Sequence, residues 1–506
     1  MIRVGHSENL GRITTIGIAR SGAYITSVLT ITTLHRPLST IFAMLSLQYL
    51  LASFATLSFV SGAVVLQRED NSSLTSAAAE PEPTVPYAST EPNSVLWGPD
   101  SPPSVPKPFR GTTGASILGP DNIPLDLENP DLLAPPSTDN GEISNSKWPF
   151  SFSPMRLQTG GWARQQNTRS FPVSTSMAAV DMMLEPGAIR ELHWHSTAEW
   201  AYVLKVNSFE LAYRVMVNYQ LAFGKGTTQV TAVDQDGRNF LATVRAGDLW
   251  YFPPGIPHSL QATNDSAEGS EFLLVFPDGD FSDDGTFLLT DWLAHVPAEV
   301  IRKNFGVANP AAFSRIPDRQ LYIFPSEPPS DDASDVSDSL GTVPQPFFFP
   351  FSNTTATQLE GGSVKVVDST TFKISEKIAA VEVMVNPGGM REMHWHPTQD
   401  EWTFVLEGEA RITIFAANSN AKTFNFQPGD IGFIPASYGH YVENTGNGTL
   451  RYLEVFNTDR YQDVSLNQWL ALTPPALVKA HLGLDDATIG KLKKTKPTVV
   501  GPIPPQ

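Results

Sequence analysis

Residues 178–195 read Ala178-Ala-Val-Asp-Met-Met-Leu-Glu-Pro-Gly-Ala-Ile-Arg-Glu-Leu-His-Trp-His195, and residues 379–396 read Ala379-Ala-Val-Glu-Val-Met-Val-Asn-Pro-Gly-Gly-Met-Arg-Glu-Met-His-Trp-His396. The two stretches align without a gap at an offset of 201 residues. Chance does not produce a match of this length, so it marks an internal duplication.

The match resumes at three further places along the chain. The matching pairs are Glu199-Trp-Ala-Tyr-Val-Leu204 with Glu401-Trp-Thr-Phe-Val-Leu406, Gly247-Asp-Leu-Trp-Tyr-Phe-Pro253 with Gly429-Asp-Ile-Gly-Phe-Ile-Pro435, and Phe272-Leu-Leu-Val-Phe276 with Tyr452-Leu-Glu-Val-Phe456. The two halves are therefore predicted to share one fold.

Within each half, short runs rich in Val, Ile, Phe and Tyr alternate apolar with polar residues, and Pro-Gly and Gly-Asp turns separate the runs. This pattern predicts an all-β barrel or sandwich in each half. Matching segments that begin at Trp292 and Trp469 predict short helical tails.

Composition excludes several classes of function. The 506 residues carry a formal net charge of −18, which disfavours nucleic acid as a partner, and any site for an anion needs its own local positive charge. There are no cysteines, so disulfides, thiolate metal sites and cysteine nucleophiles are excluded. Metal chemistry must use histidine and carboxylate.

The segment from Ile41 to Leu66 is uncharged and mostly apolar, with small residues at Ser61-Gly62-Ala63. It is interpreted as a signal peptide, which predicts a secreted, extracellular protein with no stable membrane association once processed. A permanent membrane anchor is the alternative, and the start codon, Met1 or Met44, stays open.

Composition also divides the chain into segments. The predicted division is 1–66 N-terminal extension with the signal-like segment, 67–147 poorly ordered arm rich in Pro, Ser and acidic residues, 148–325 first barrel domain, 326–345 linker, 346–490 second barrel domain and 491–506 C-terminal tail. Four Asn-X-Ser/Thr acceptors predict a glycoprotein, at Asn71, Asn264, Asn353 and Asn447.

Six of the ten histidines fall into two clusters of nearly identical pattern. Residues two apart on a strand point to the same face, so each His-X-His pair projects two imidazoles into its barrel, where a glutamate and a third histidine complete a site. The predicted ligands are His193, His195, Glu199 and His258 in the first half and His394, His396, Glu401 and His440 in the second. A set of three histidines and one carboxylate suits Mn, Fe or Zn, and its two open octahedral positions favour Mn(II) or Fe(II).

An arginine precedes each His-X-His pair by three residues, Arg190 in the first half and Arg391 in the second. On a regular strand this spacing points the arginine to the opposite face, but a bulge after Pro-Gly would aim it inward. A guanidinium there suits bidentate binding of a carboxylate. A solvated surface arginine is the alternative.

At these residues the chain resembles the bicupin oxalate decarboxylases, over residues 147–490. Strings such as Arg190-Glu-Leu-His-Trp-His195, Thr290-Asp-Trp-Leu-Ala-His295 and Asp463-Val-Ser-Leu-Asn-Gln-Trp-Leu470 carry the resemblance. It implies two tandem cupin (jelly-roll-like) β-barrels, two Mn(2+) per chain, dioxygen as a cofactor, and oxalate as the small-molecule substrate, cleaved to formate and carbon dioxide beside Arg190. Arg391 is the equivalent substrate-binding candidate in the second half, and a homo-oligomer is left open.

The resemblance also implies a proton donor on a lid that follows the last barrel strand of the first cupin. In the family the lid reads Ser-Glu-Asn-Ser-Thr, and here Ser282-Asp-Asp-Gly-Thr286 replaces it, so Asp283 is the aligned acid. In the second half Glu454, where the first half has Leu274, is a further catalytic candidate. The first cupin is expected to be the main catalytic site, with the second structural or electron-transferring.

Three alternatives stay open, one of them a sugar-phosphate or other cupin enzyme. A bicupin oxalate oxidase, which lacks the lid acid and produces carbon dioxide and hydrogen peroxide, is the first. A non-catalytic metal-binding or storage-like bicupin is the second, although such proteins usually lose metal ligands and this chain keeps all eight.

The offset between the halves falls from 202 at Glu199/Glu401 to 182 at Gly226/Gly408, which leaves a 20-residue insert at 206–225. The insert is long and apolar and interrupts a passage between two strands, whereas surface loops are usually polar. A retained intron is the favoured explanation, and a genuine family-specific insertion is the alternative.

Overall fold

Antiparallel strands form the framework of both halves in the computed structural model, which describes residues 122–204, 226–329 and 340–503. The strands of the first half are β1 (Lys147–Pro149), β2 (Met155–Gln158), β3 (Gly161–Gln166), β4 (Ala178–Leu184), β5 (Ile189–Trp194), β6 (Glu199–Val203), β7 (Thr227–Val233), β8 (Asn239–Arg245), β9 (Leu249–Phe252), β10 (His258–Ala262), β11 (Ser270–Phe276), β12 (Phe287–Leu288) and β13 (Ile323–Phe324).

The second half repeats the pattern. Its strands are β14 (Phe348–Phe349), β15 (Thr357–Leu359), β16 (Gly362–Val367), β17 (Ala379–Val385), β18 (Met390–Trp395), β19 (Glu401–Glu407), β20 (Ala410–Ala416), β21 (Asn420–Phe426), β22 (Asp430–Ile434), β23 (Gly439–Asn444), β24 (Leu450–Phe456), β25 (Val464–Ser465) and β26 (Val499–Val500).

Each half folds into a barrel of two sheets. In the first barrel the sheet orders are β14-β9-β6-β11-β4-β3-β2 and β12-β5-β10-β7-β8, with β13 also on β5. In the second they are β1-β22-β19-β24-β17-β16-β15 and β21-β20-β23-β18-β25, with β26 also on β18. The predicted all-β fold of two tandem barrels is confirmed.

The two barrels exchange their edge strands. β1, which precedes the first barrel, pairs with β22 of the second barrel, where Lys147 lies opposite Gly432. β14, which precedes the second barrel, pairs with β9 of the first, where Phe348 lies opposite Trp250. The predicted linear boundaries at 148 and 346 therefore do not describe which sheet each segment joins.

Between the barrels lies a hydrophobic core that both contribute to, with Trp200 and Tyr251 from the first and Trp402 and Phe433 from the second. Buried polar groups cross the same interface. The Tyr202 hydroxyl of the first barrel donates to Glu382 of the second at 3.0 Å and accepts from Arg451 of the second at 2.6 Å, while Arg451 also donates to Glu382 at 2.7 Å. Because buried polar groups must be paired, these contacts fix how the barrels meet.

The helices are short and lie outside the barrels: α1 (Ile123–Leu127), α2 (Pro130–Leu133), α3 (Leu289–Ala294), α4 (Ala298–Phe305), α5 (Leu466–Leu472), α6 (Pro475–Leu482) and α7 (Asp486–Ile489). The predicted helical tails are present, but each begins three residues before the tryptophan at which it was expected. No helix within the described ranges is long and apolar enough to span a membrane.

The prediction of a poorly ordered arm is wrong for residues 122–147. This part of the arm forms α1 and α2 and packs on the second barrel, where the buried carboxylate of Asp131 accepts hydrogen bonds from Arg411 at 2.9 Å and Asn425 at 2.7 Å. The predicted C-terminal tail also joins the fold, because Val499 pairs with Arg391. Composition alone does not reveal these contacts, because each depends on residues of the second barrel that are distant along the chain.

Candidate metal centres

The strand that carries the first His-X-His pair, β5, contains a β-bulge. His193 lies opposite His258 on β10, whereas Arg190 lies opposite Leu260, so the register shifts between them. The extra residue turns Arg190 toward the face that carries His193. The same shift occurs on β18 between its arginine and its first histidine, so the predicted bulge is present in both halves.

Four side chains converge inside the first barrel. His193 lies on β5, Glu199 on β6 and His258 on β10, and His195 follows β5 directly. Their ligand atoms all lie within 4.8 Å of one another, and all four residues are buried. The structure thus brings together the four predicted ligands of the first half.

Hydrogen bonds to the backbone orient the three imidazoles of this centre. The Nδ1 atoms of His193, His195 and His258 lie 2.7, 2.7 and 2.8 Å from the carbonyl oxygens of Glu191, Thr197 and Ile256. Since a carbonyl only accepts, each Nδ1 carries the proton and each Nε2 lone pair is left for the centre.

The electrostatics of the first centre favour a neutral His193 beside an ionised Glu199. Burial, together with the charges of His258 and Arg190, holds the pKa of His193 well below its ordinary value. Burial alone would raise the pKa of Glu199, but its contacts with His195 and His258 bring it well below the usual range. These are the protonation states that a cation requires.

The second barrel repeats the arrangement with His394, His396, Glu401 and His440, whose ligand atoms also lie within 4.8 Å of one another. His394 and His440 bond backbone carbonyls two residues before them, at 2.7 and 3.0 Å. His396 instead bonds the carbonyl of Gln462, in the loop before β25, at 2.8 Å. The second centre is therefore tied to its own loop.

The outer oxygen of the ligand glutamate is held differently in the two barrels. The Trp250 indole donates to Glu199 at 2.8 Å, whereas Thr403 donates to Glu401 at 2.7 Å. Trp250 aligns with Gly432, where even a Cβ would lie 3.3 Å from that of Thr403. The exchange of donors keeps the carboxylate oriented in both centres.

Both centres fit a divalent transition metal. Among the described residues, the buried Nε2 atoms of His258 and His394 have no hydrogen-bond partner, although each points into its cluster. A buried nitrogen lone pair without a partner is costly unless a cation binds there. Three imidazole nitrogens and one carboxylate oxygen, without sulfur, suit Mn(II) among other first-row metals.

Beside the first centre, Arg190 is buried and contacts the predicted lid acid. Its Nη2 donates to Asp283 at 3.0 Å, and its guanidinium carbon lies 4.1 Å from the centroid of the Tyr322 ring. The Tyr322 hydroxyl also donates to Asp283, in a short hydrogen bond. Asp283 lies in a single turn of 3-10 helix, and its neighbour Asp284 is exposed.

Beside the second centre, Arg391 is surrounded by acids. It donates to Asp463 at 2.8 Å, to the Tyr461 hydroxyl at 2.9 Å and to Glu454 at 3.4 Å. Burial raises the pKa of Glu454 to about 7 against the opposing effect of Arg391. Lys496 holds Asp463 from the other side.

The structure brings together all eight predicted ligands and places both arginines beside them, but sequence reasoning missed several groups around them. Tyr322, Tyr461 and Asp463 contact the two arginines, and Trp250 holds Glu199. The signal for Asp463 was present, because it opens a string that is typical of the family. Tyr322 directly precedes β13, a strand of only two residues, so no periodic pattern of residues marks it.

The predicted insert at 206–225 lies outside the described residues. The nearest described residues are Leu204, which follows β6, and Gly226, which precedes β7. In the second half the equivalent strands, β19 and β20, are separated by two residues alone.

A profile of the cupin family matches residues 152–205, 220–312 and 350–490. The interruption at 206–219 falls within the predicted insert. The chain is 47% identical over 397 residues to oxalate decarboxylase OxdC of Bacillus subtilis (strain 168), which covers 78% of this chain and 97% of that protein. It is 39% identical over 392 residues to a probable oxalate decarboxylase of Arthroderma benhamiae, covering 76% and 91%.

Solved structures agree with these relatives. A structure of Bacillus subtilis oxalate decarboxylase, studied for the fine structure of its Mn(II) centres, matches with a TM-score of 0.72 and 47% identity. The match covers 78% of this chain and 99% of that chain. Both barrels and both four-ligand centres lie within a fold of known type.

Proposed function

The chain belongs to the oxalate decarboxylase family of two-cupin proteins, and we propose that it cleaves oxalate to formate and carbon dioxide with two Mn(2+) per chain, and with dioxygen as a cofactor. The observation that carries the proposal is the first centre, where a three-histidine, one-glutamate site lies beside a buried arginine that is bonded to the carboxylate of a lid residue.

His193, His195, Glu199 and His258 would hold manganese in the first cupin, and His394, His396, Glu401 and His440 in the second. Bound manganese supplies one-electron redox chemistry, with dioxygen, that weakens the carbon–carbon bond of oxalate. The chain's own residues bind the substrate, exclude water and move the proton.

Arg190 is proposed to bind one carboxylate of oxalate. Its planar guanidinium matches a carboxylate, and its burial strengthens the attraction in a chain of net charge −18. The Asp283 carboxylate accepts from Nη2 of this guanidinium, so oxalate bound there would share Arg190 with Asp283.

Asp283 is proposed to return the proton. Decarboxylation of the oxalate dianion to formate and carbon dioxide consumes one proton, which must reach the carbon atom that loses carbon dioxide. Asp283 is bonded to Arg190, which lies beside the first centre. Tyr322 donates to the Asp283 carboxylate, and the Gln165 side chain accepts from the Asp283 backbone N–H at 2.9 Å, so both orient this acid. A positioned acid suits this transfer.

The first cupin is proposed as the site of turnover and the second as structural or electron-transferring. Arg391 is bonded to Asp463, which Lys496 holds in place, and to Glu454 on strand β24. Arg391 is thus held by Glu454 on a strand and by Asp463, which Lys496 also binds, whereas the acid bonded to Arg190 lies in the 3-10 turn of the lid. Glu454 keeps a role as an acid of the second centre.

One observation favours oxalate oxidation as a second candidate. Asp283 is one methylene shorter than the glutamate of the family lid, so its reach toward the substrate is shorter. If the proton arrives late, dioxygen completes the reaction and hydrogen peroxide forms.

Assaying formate and hydrogen peroxide from oxalate with the manganese-loaded protein tests the proposal. We expect formate to exceed peroxide by a large margin. A predominance of peroxide would establish the oxidase instead, and a lack of both products would support the non-catalytic bicupin.

We also propose that the protein is secreted and glycosylated. The apolar segment 41–66 supports secretion, and three acceptors, Asn264, Asn353 and Asn447, are exposed, while Asn71 lies outside the described residues. Mass spectrometry of the native protein before and after glycosidase treatment tests this.

A homo-oligomer is proposed from the helical tails. Trp292 on α3 and Trp469 on α5 are 58% and 54% exposed, which is unusual for large aromatic side chains on a soluble surface. Light scattering coupled to size-exclusion chromatography measures the assembly, and a monomer would contradict the proposal.

A further inference from the structure

The aromatic ring of Tyr322 lies between two arginines. The guanidinium carbon of Arg156, on strand β2, is 3.5 Å from the ring centroid, and that of Arg190 is 4.1 Å from it. Two groups this close to one centroid cannot share a face of the ring, so Arg156 covers the face that Arg190 does not. Stacking of this kind is favourable for each guanidinium.

Arg156 also contacts the lid itself. Its Nη1 lies 3.1 Å from Oδ1 of Asp284 and 3.8 Å from Oδ2 of Asp283. The Arg156 side chain is 30% exposed and that of Asp284 is 72% exposed, so this ion pair lies at the outer surface of the lid. Arg156 therefore links strand β2, the lid and the tyrosine that orients Asp283.

The second cupin has neither an arginine nor a tyrosine at the described positions equivalent to Arg156 and Tyr322. Thr357 on β15 occupies the place of Arg156. Thr357 lies opposite Val364, as Arg156 lies opposite Ala163, and Val364 and Ala163 are equivalent in the two cupins. Thr498 occupies the place of Tyr322, with the same left-handed backbone (φ 55° and 63°). Among the described residues, the stacking of Arg156 on Tyr322 is thus confined to the cupin that carries the lid acid.

We propose that Arg156 is a positioning residue that latches the lid in its closed state and fixes Asp283 for proton transfer. The latch rests on the proposed function, because Asp283 has a proton to deliver only if oxalate is decarboxylated. Asp284 stands where the family lid has asparagine, so in this chain the latch includes an ion pair. A partly exposed ion pair and one cation–π contact together predict an effect of about fivefold to tenfold.

The test compares Arg156→Gln, Asp284→Asn and the double variant with the parent protein. Arg238→Gln is the matched control, because Arg238 is a similarly exposed arginine of the same cupin that pairs with Asp236 at 3.0 Å. We expect Arg156→Gln to lower kcat for formate and to raise the ratio of peroxide to formate by about fivefold, with a smaller change in KM. Arg156→Lys should restore part of the loss, and the double variant should resemble Arg156→Gln because both act through one contact.

Hydrogen–deuterium exchange of the peptide spanning 277–288 measures the latch without reference to activity. Exchange there should be faster in Arg156→Gln and unchanged in Arg238→Gln. If Arg156→Gln changes neither lid exchange nor the product ratio, the latch is overturned. A parent protein that yields neither formate nor peroxide would instead overturn the proposed function, and the exchange measurement would still decide whether Arg156 holds the lid.

Discussion

Arg190 donates a hydrogen bond from Nη2 to Oδ1 of Asp283 at 3.0 Å, so the guanidinium beside the first metal centre is already bonded to a carboxylate of the same chain. On the proposed function, in which Arg190 binds oxalate, substrate binding and the position of Asp283 are coupled, because both use one arginine.

Replacing Asp283 with alanine should lower formate production by about a hundredfold or more, since positioned general acids contribute at least that much. The fraction of oxalate that ends as peroxide should rise. Asp283→Glu should preserve or improve the decarboxylase rate. Asp284, which faces outward to Arg156, should matter far less, and loss of all activity in Asp284→Ala with an active Asp283→Ala would reverse the assignment of the two acids.

The metal content should be close to two Mn per chain, because both four-ligand sets are complete. His195→Ala should remove manganese from the first site alone and leave about one Mn per chain, since three remaining donors hold a divalent cation poorly. Elemental analysis measures the content, and turnover of oxalate should cease. Normal turnover in a variant that has lost its first-site manganese would contradict the assignment of that site.

Glu382 should stabilise the contact between the cupins in a pH-dependent way. Burial raises its pKa, but Arg451 outweighs burial and holds the pKa below the ordinary value of 4.5. A carboxylate with a depressed pKa in the folded state stabilises above its unfolded value, and this contribution fades as the pH falls through the folded value. Its stabilisation is therefore full at pH 7 and declines below pH 4.5.

Thermal unfolding of Glu382→Gln and the parent protein measures this effect. The variant should be less stable by about 2 kcal/mol at pH 7, and the difference should shrink as the medium becomes acidic. Glu407→Gln is the control, because Glu407 pairs with the same arginine at 3.4 Å but is 45% exposed. An equal loss in both variants at every pH would show that burial of Glu382 has no special effect.

The segment 206–225 should be absent from the native protein if it derives from a retained intron. Its removal would leave Lys205 between Leu204 and Gly226, as Glu407 lies between Leu406 and Gly408 in the second cupin. Gly408 has a φ of 81°, which suits a tight turn between two strands.

Peptide mapping with a protease that does not cleave after lysine decides this point. A peptide that runs from Glu199 through Lys205 directly into Gly226 would support excision. Peptides recovered from within 206–225 would show that the insertion is genuine.

The duplication explains why the eight metal ligands could be predicted from sequence. Each set occurs twice at nearly the same spacing, so the second copy tests the first. Arg190 can point into the barrel only if β5 contains a bulge. The Pro-Gly turn before β5 suggested such a bulge, and the register of β5 against β10 shows it. The repeat therefore locates residues well but does not by itself orient them.

What the repeat could not reveal is where the halves differ. Tyr322 and Arg156 align with threonines, so comparison of the halves gives them no weight. The strands β13 and β26 are two residues long, too short for a periodic signal. The pairing of Lys147 with Gly432 joins residues that are distant along the chain, and no local pattern encodes it.

The exchanged strands β1 and β14 have a consequence for the history of the molecule. Each cupin closes the edge of one sheet with a strand that the chain supplies beside the other cupin. A gene that encoded either cupin from its own first barrel strand alone would yield a sheet with an uncovered edge, which invites pairing with other chains. The two cupins have diverged around their metal centres, but each still relies on a strand that the chain supplies beside the other.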